Sequence, residues 1–316
     1  MIEKKLRKQS WIDVLFQCIT TLCGLTILII FVSVILYLIK GSLPTLEKFG
    51  LYFLLSSDWN PVAQQFGALV PIVGTLITSL IALAVGIPIS FGIAIFLTEI
   101  APRWLREPLR IAVELLAGIP SIIYGMCGLF VFAPYFADHV QPWLIKNLGS
   151  KPVIGMLFEG APMGIGLLTA GLILGIMVIP FMASVMRDVF ELVPDMLKES
   201  AYAFGSTKWE VIWKIILPYT CAGVIGSIML GLGRALGETM AVAFVIGNAH
   251  VLSISLMMPG NSITSVLANE FTEAIGTLYS SALIELGLIL FLITFIVLFF
   301  SRILLRHLNN QAVEKS

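Results

Sequence analysis

One feature occurs six times along the chain: a predominantly apolar stretch of 18 residues or more. A stretch of that length with few charges is what crosses the hydrocarbon core of a bilayer as a helix. The pattern predicts spans over 14–39, 67–97, 111–137, 163–186, 219–247 and 281–305. Composition supports this, because only 12% of the residues are charged, whereas a soluble globular chain carries about a quarter. Pro71 and Pro88 fall in the second stretch, Pro120 in the third and Pro180 in the fourth. Inside a membrane bundle, neighbouring helices can re-satisfy the backbone groups that prolines free.

The placement of Lys and Arg orients these spans. Fourteen of the 19 basic residues fall on one side, four on the other, and the last, Arg234, lies within a span. The basic side is cytoplasmic. Both termini (1–13 and 306–316) and the segment 187–218 are therefore expected in the cytoplasm of a bacterial inner-membrane protein, with a transmembrane domain over 14–305. Lys4, Lys5, Arg7 and Lys8 precede an apolar run too long for a signal sequence, so that run reads as a retained first span. The outer loops, 40–66, 138–162 and 248–280, are too short for a domain. The third has no Lys or Arg but carries Glu270 and Glu273. A formal net charge of zero argues against a nucleic-acid partner.

Several chemistries lack their residues. The cysteines, Cys18, Cys23, Cys127 and Cys221, lie in or beside apolar stretches with no C-x-x-C spacing, so they read as packing residues. All five aspartates fall at span ends or in loops, which removes an intramembrane aspartyl pair. No H-E-x-x-H, G-x-S-x-G or P-loop pattern occurs. His139, His250 and His307 are scattered and read as non-ligands. No catalytic residue, metal site or cofactor is expected. If the chain moves a solute uphill, the energy comes from a partner or an ion gradient.

Arg234 stands alone as a base inside a span. Counting from Tyr219 at 1.5 Å per residue places it roughly 22 Å along the helix. A guanidinium there is costly and marks a functional position by default. Glu238 follows at i+4, on the same helix face if the helix is continuous. Arg234 reads as lining a polar path and meeting an anion, with Glu238 pairing with it or tuning it. The glycines of the same stretch, Gly223, Gly226, Gly231, Gly233 and Gly237, serve close packing or leave room for a solute. Glu99 and Glu114 read as solvated partners of Arg103, Arg106 and Arg110, and Glu285 as interfacial.

Between the fourth and fifth stretches lies a polar segment built from helix punctuation. Pro194 suits the opening of a helix and Gly205 a helix stop. Thr207 with Glu210 makes a capping box for a second helix. Pro218 is expected to end or bend it. Ala201, Tyr202, Phe204 and Trp209 offer apolar surface to a partner.

The run Glu199-Ser-Ala-x3-Gly205-x9-Ile215-x-Leu217-Pro218 resembles the EAA signature of ABC importer permeases, with Ser200 in place of the usual Ala. The resemblance extends to the phosphate importer permeases from about residue 48 to about 303. It includes the stretches 66–72, 114–125, 231–241 and 258–265. It implies an all-α polytopic membrane protein with six transmembrane helices in the MetI-like ABC permease architecture. It also implies a function: half of a phosphate import path, lying in the lipid bilayer, beside a second homologous permease. Two separate ATPase subunits and an extracytoplasmic phosphate-binding protein complete the assembly. Glu199, Ala201, Gly205, Ile215, Leu217 and Pro218 would form the ATPase-coupling loop. Arg234 and Glu238 match the family's charged transmembrane pair. Importers of sulfate or molybdate share the EAA signature. An ion-coupled secondary transporter has no need of such a platform, and the internal repeat of many such transporters is not found.

Overall fold

The computed structural model describes residues 2–149, 151 and 155–314, with side chains given except at 2–10, 304 and 306–314. The side chains of Lys4, Lys5, Arg7, Lys8, Arg306 and His307, and the whole of Lys315, lie outside the described residues. Among the described residues, the β pairing consists of one isolated bridge between Asn60 and Gln65. Six helical runs are long and apolar enough to cross a membrane: Trp11–Phe49, Leu69–Ile100, Ser121–Leu148, Leu167–Glu191, Lys208–Leu236 and Thr277–Ile303.

The first run belongs to α1 (Ile2–Phe49), which continues through Pro44 into what the sequence suggested was loop; a short α2 (Tyr52–Leu55) follows. The second run is α3 (Leu69–Ile95) with a π-turn at Phe96–Ile100. Next comes α4 (Arg103–Ala117), which is not part of a span. The stretch expected to cross at 111–137 is thus divided. Arg103, Arg106, Arg110 and Glu107, Glu114 recur at helical spacing and give α4 one charged face. Its C-cap is Gly118, and Pro120 caps a new helix, because a proline there removes a donor and clashes with the preceding turn. The third run then contains α5 (Ser121–Cys127), α6 (Ala133–Tyr135) and α7 (Gln141–Leu148), joined by π-turns.

The fourth run, α8 (Leu167–Glu191), is the most enclosed and organises the core. Its Leu174, Met177, Met182, Met186 and Phe190 are fully buried. It packs along α3 more extensively than any other pair of elements. Two short helices follow, α9 (Asp195–Ala203) and α10 (Lys208–Val211). The α10 helix runs without a stop through a π-turn at Ile212–Ile216 into α11 (Leu217–Leu236). Pro218 therefore neither ends nor breaks the helix. It sits in the first turn of α11, and the wide turn before it absorbs its missing donor.

The fifth span is broken rather than continuous to residue 247. α11 stops at Leu236, and after a gap α12 (Met240–Val245) begins. Segment 248–262 folds back into the bundle before α13 (Ile263–Glu270) and α14 (Thr277–Glu314). This segment approaches α3 so closely that a Cβ at Gly74 would lie on the Asn261 carbonyl, so only glycine fits there. α14 lies along α1, where the Thr45 hydroxyl donates to Ser281 Oγ at 2.8 Å inside the contact. Glu285, one turn further along α14, is 5% exposed rather than interfacial.

Candidate functional site

Three groups of residues carry the unusual chemistry: the break after α11, the α9–α10 platform, and a carboxylate hub at the end of the bundle opposite the platform.

Glycines weaken the end of α11. Gly231, Gly233 and Gly237 each lower helix propensity by about 1 kcal/mol relative to Ala, and the helix stops at the third. The first turn of α13 supports the broken backbone, with the Thr264 hydroxyl donating to the Glu238 carbonyl at 2.7 Å. The Glu238 side chain accepts the Ala241 N–H at 3.2 Å and so caps α12. Because the helix has ended, Arg234 and Glu238 no longer share a continuous face. Among the described residues no carboxylate lies within 4 Å of the Arg234 guanidinium. Arg234 instead stacks over the Phe181 ring of α8 at 5.5 Å, and its buried Nε has no hydrogen-bond partner. Cation–π stacking offsets part of the desolvation cost of a guanidinium but leaves its in-plane donors open. On the same helix, added Cβ atoms at Gly226 and Gly233 would meet nothing within 4 Å. The arrangement is a half-buried cation with unused donors beside open space, at a break in a membrane helix. Irregular backbone at that depth occurs where it is buried in protein or lines a cavity.

The platform folds as its punctuation dictates, with Pro194 as the N-cap of α9 rather than its first residue. Gly205 has φ +84°, in the left-handed region, which closes the turn after α9. The Ser206 N–H returns to the Ala201 carbonyl at 3.1 Å. The capping box is complete: Thr207 Oγ1 accepts the Glu210 N–H at 3.3 Å, and Glu210 Oε2 accepts the Thr207 N–H at 3.0 Å. Ala201 was read as surface for a partner, but it is 9% exposed and packs in the main core beside Val193, Val211 and Ile212. Its small size lets α9 lie close to the bundle. Ile215 and Leu217 are half-buried against the same core, whereas Glu199, Gly205 and Pro218 are exposed. The surface offered to solvent is aromatic: Phe204 is 91% exposed, and Tyr202, Trp209 and Trp213 are exposed beside it.

An ion pair fixes the platform to the bundle, and the solvated reading of Glu99 gives way here, whereas Glu114 stays exposed and pairs with Arg110 as read. Lys198 of α9 reaches Glu99 at the end of the second span at 2.7 Å, with both side chains largely buried. Arg187 of α8, 3% exposed, holds Glu114 of α4 at 3.1 Å and Asp188 at 2.6 Å. Hydrogen bonds from Arg110 and then Arg187 hold the Glu114 carboxyl below its ordinary value. The Lys198–Glu99 and Arg187–Glu114 pairs join separate helical runs, which sequence spacing does not reveal.

At the opposite end, Glu270 gathers three donors. Trp59 Nε1 donates to Oε2 at 2.7 Å, Tyr279 OH to Oε2 at 2.6 Å, and His250 Nε2 to Oε1 at 2.7 Å. The rings of Trp59 and His250 stack at 5.3 Å, and Phe66 stacks on Tyr279 at 5.3 Å. Burial pushes the Glu270 carboxyl up, but the donors outweigh it and hold it below its ordinary value. His250, read as a scattered histidine, thus ties the segment after α12 to α13. No local motif marks this hub.

Six spans, a broken fifth span carrying a lone base and a capped polar platform between the fourth and fifth are the architecture of a multi-pass membrane protein. A family model, the binding-protein-dependent transport system inner membrane component, matches residues 86–310. The chain belongs to that family, and so is a multi-pass inner-membrane protein. A relative from Pasteurella multocida is 59% identical, covering 96% of this chain and 95% of the relative, and is named phosphate transport system permease protein PstC. A relative of the same name from Haemophilus influenzae is 56% identical over 97% of each chain. The Methanocaldococcus jannaschii relative, a probable phosphate transport system permease protein PstC, is 36% identical over 94% of this chain and 93% of its own. A solved inward-facing structure of the MetNI methionine ABC transporter has a TM-score of 0.50 and 15% identity, covering 82% of this chain and 97% of that one. That likeness concerns the fold.

Proposed function

We propose that this chain forms half of the translocation path of an ATP-driven importer of inorganic phosphate. A second, homologous permease of the PstA type forms the other half. Two ATPase subunits dock on the platform, and an extracytoplasmic phosphate-binding protein delivers the anion at the Glu270 end. In this reading the platform end and both termini are cytoplasmic, as the distribution of basic residues supports.

The observation that carries the reading is Arg234. An anion crossing the membrane needs positive potential along its path, and this guanidinium has an open Nε donor and, among the described residues, no carboxylate partner. Glu238 does not pair with it: among the described residues no carboxylate lies within 4 Å of the guanidinium, and the Glu238 carboxylate accepts the Ala241 N–H instead. The choice of phosphate rests on the names of relatives that cover nearly the whole chain. ATP-driven closure of the ATPases moves the platform, and the core packed behind Ala201, Val211 and Ile216 passes the movement to α8 and α11.

The test uses the purified four-subunit membrane complex in lipid discs with its binding protein. Phosphate is expected to raise ATP hydrolysis through the binding protein, while sulfate and molybdate are without effect. Stimulation by sulfate or molybdate instead of phosphate assigns the cargo to another oxyanion. Stimulated uptake without any ATPase subunit would replace the reading with ion-coupled transport.

A further inference from the structure

The helix α4 has no buried residue along its fifteen positions. It lies beside the platform end of α3, and the two do not close on each other. Between them runs an open groove of about 460 Å³ lined by Ile89, Gly92, Phe96, Leu109 and Val113, among other apolar side chains. A Cβ added at Gly92 would meet nothing within 4 Å, so the groove is open at its floor. An apolar trough of this kind does not stay open to water in an assembled membrane protein.

The charges at its end indicate what fills it. Arg110 is engaged by Glu107 and Glu114. Arg103 and Arg106 have no carboxylate within 4 Å among the described residues. Arg106 reaches only the Ala101 carbonyl, at 3.4 Å, and its Nε is buried without a partner. Ala101 directly follows the π-turn whose Phe96 lines the groove, so this guanidinium sits at the groove's platform end. An unpaired cation above an apolar trough, on an amphipathic helix, is complementary to an anionic headgroup above an acyl chain.

We propose that the α3–α4 groove binds an anionic phospholipid of the cytoplasmic leaflet. One acyl chain lies along Gly92 and Val113, and the headgroup phosphate lies on Arg106 and Arg103. The orientation rests on the topology proposed above, whereas the site itself does not depend on the cargo. The bound lipid fixes α4 against α3. Through Glu114 it also bears on Arg187 of α8, close to the platform.

The experiment takes the complete complex into discs of equal phosphatidylglycerol and phosphatidylcholine and counts retained lipids by native mass spectrometry. Wild type is expected to retain phosphatidylglycerol preferentially. Each arginine near an anionic leaflet contributes about fivefold in partition, so R103Q/R106Q loses up to roughly 25-fold of that preference. Gly92→Leu, which fills the trough and leaves both charges, lowers retention of both lipids while the subunits still co-purify. Equal retention of the two lipids by wild type overturns the proposal. Displacement of the lipid by millimolar inorganic phosphate would mean a free-anion site and also overturns it. Loss of the second permease from Gly92→Leu preparations would assign the groove to a protein neighbour instead.

Discussion

A guanidinium stays charged even at membrane depth, so its burial there is costly until its donors find partners in some state of the protein. Arg234 has an aromatic face but no acceptor for its Nε, so the missing partner is the passing anion in the proposed function. Arg234→Gln is expected to lower phosphate uptake roughly 10- to 100-fold, the range set by losing hydrogen bonds to a charged group. The complex should still assemble, because no ion pair among the described residues uses this one. Arg234→Lys keeps the charge but loses the planar stack on Phe181 and the forked donors, so it should fall between the two. Uptake by Arg234→Gln at the wild-type rate would remove the residue from the path. Glu270 makes a separate prediction. Its carboxyl is held below the ordinary value, so its contribution is present above the unfolded pKa of about 4.3 and fades as pH falls through the lower folded value. The protection factors of the 248–262 amides, which remove the intrinsic pH dependence of exchange, should be steady from neutral pH down to that range and fall below it. Glu270→Gln should lower them at neutral pH, because the amide keeps a single acceptor oxygen and turns an NH2 toward at least one of the three donors. Exchange that is unchanged in this variant would show that the hub does not hold the segment.

Elements differ in how openly the sequence declares them. The platform was legible down to single residues, because Pro194, Gly205 and the Thr207–Glu210 box act through backbone chemistry within a few positions. Six spans were legible from apolar length, and the Gly205 turn from its residue type. The division at Gly118–Pro120 was less plain, because the apolar residues of α4 merge with those of α5 when only hydropathy is counted. The α4 charges recur at helical spacing, but between two apolar stretches they read as solvated partners rather than as one face of a helix. The break after Leu236 was hidden because glycine in a membrane helix signals close packing as readily as a stop. The ion pairs and the Glu270 hub join residues up to 211 positions apart, a distance that local patterns do not reach. At Gly205 the conformation alone can be tested, since an added Cβ would meet nothing within 4 Å. Gly205→Val forces a β-branched residue to positive φ and costs about 1–2 kcal/mol, and ATPase co-purification should fall. Phe204→Ala removes an exposed ring without touching the core, so it should weaken docking while leaving thermal stability unchanged. If both variants retain the ATPase at wild-type levels, the docking surface lies elsewhere.

Across the whole molecule, the proposed docking at the platform would have to reach Arg234 through the bundle, and two routes are available. One is the apolar core behind Ala201, continuous with α8 and α11. The other is the Lys198–Glu99 pair, which ties α9 to the end of the α3 run. The second route is more easily interrupted, because it is a single contact between two largely enclosed side chains. Removing one member of such a pair leaves an unpaired charge, a cost of about 3–5 kcal/mol when fully buried and less here, where water reaches Lys198. Removing both members takes away the contact and the stranded charge together. Glu99→Gln and Lys198→Met are each expected to reduce phosphate uptake per ATP hydrolysed, while ATP hydrolysis itself persists. The double variant should lie closer to either single variant than to their sum. If the pair serves only as surface decoration, the two effects will add to within about 0.5 kcal/mol, and α9 must then act on the spans through the core alone.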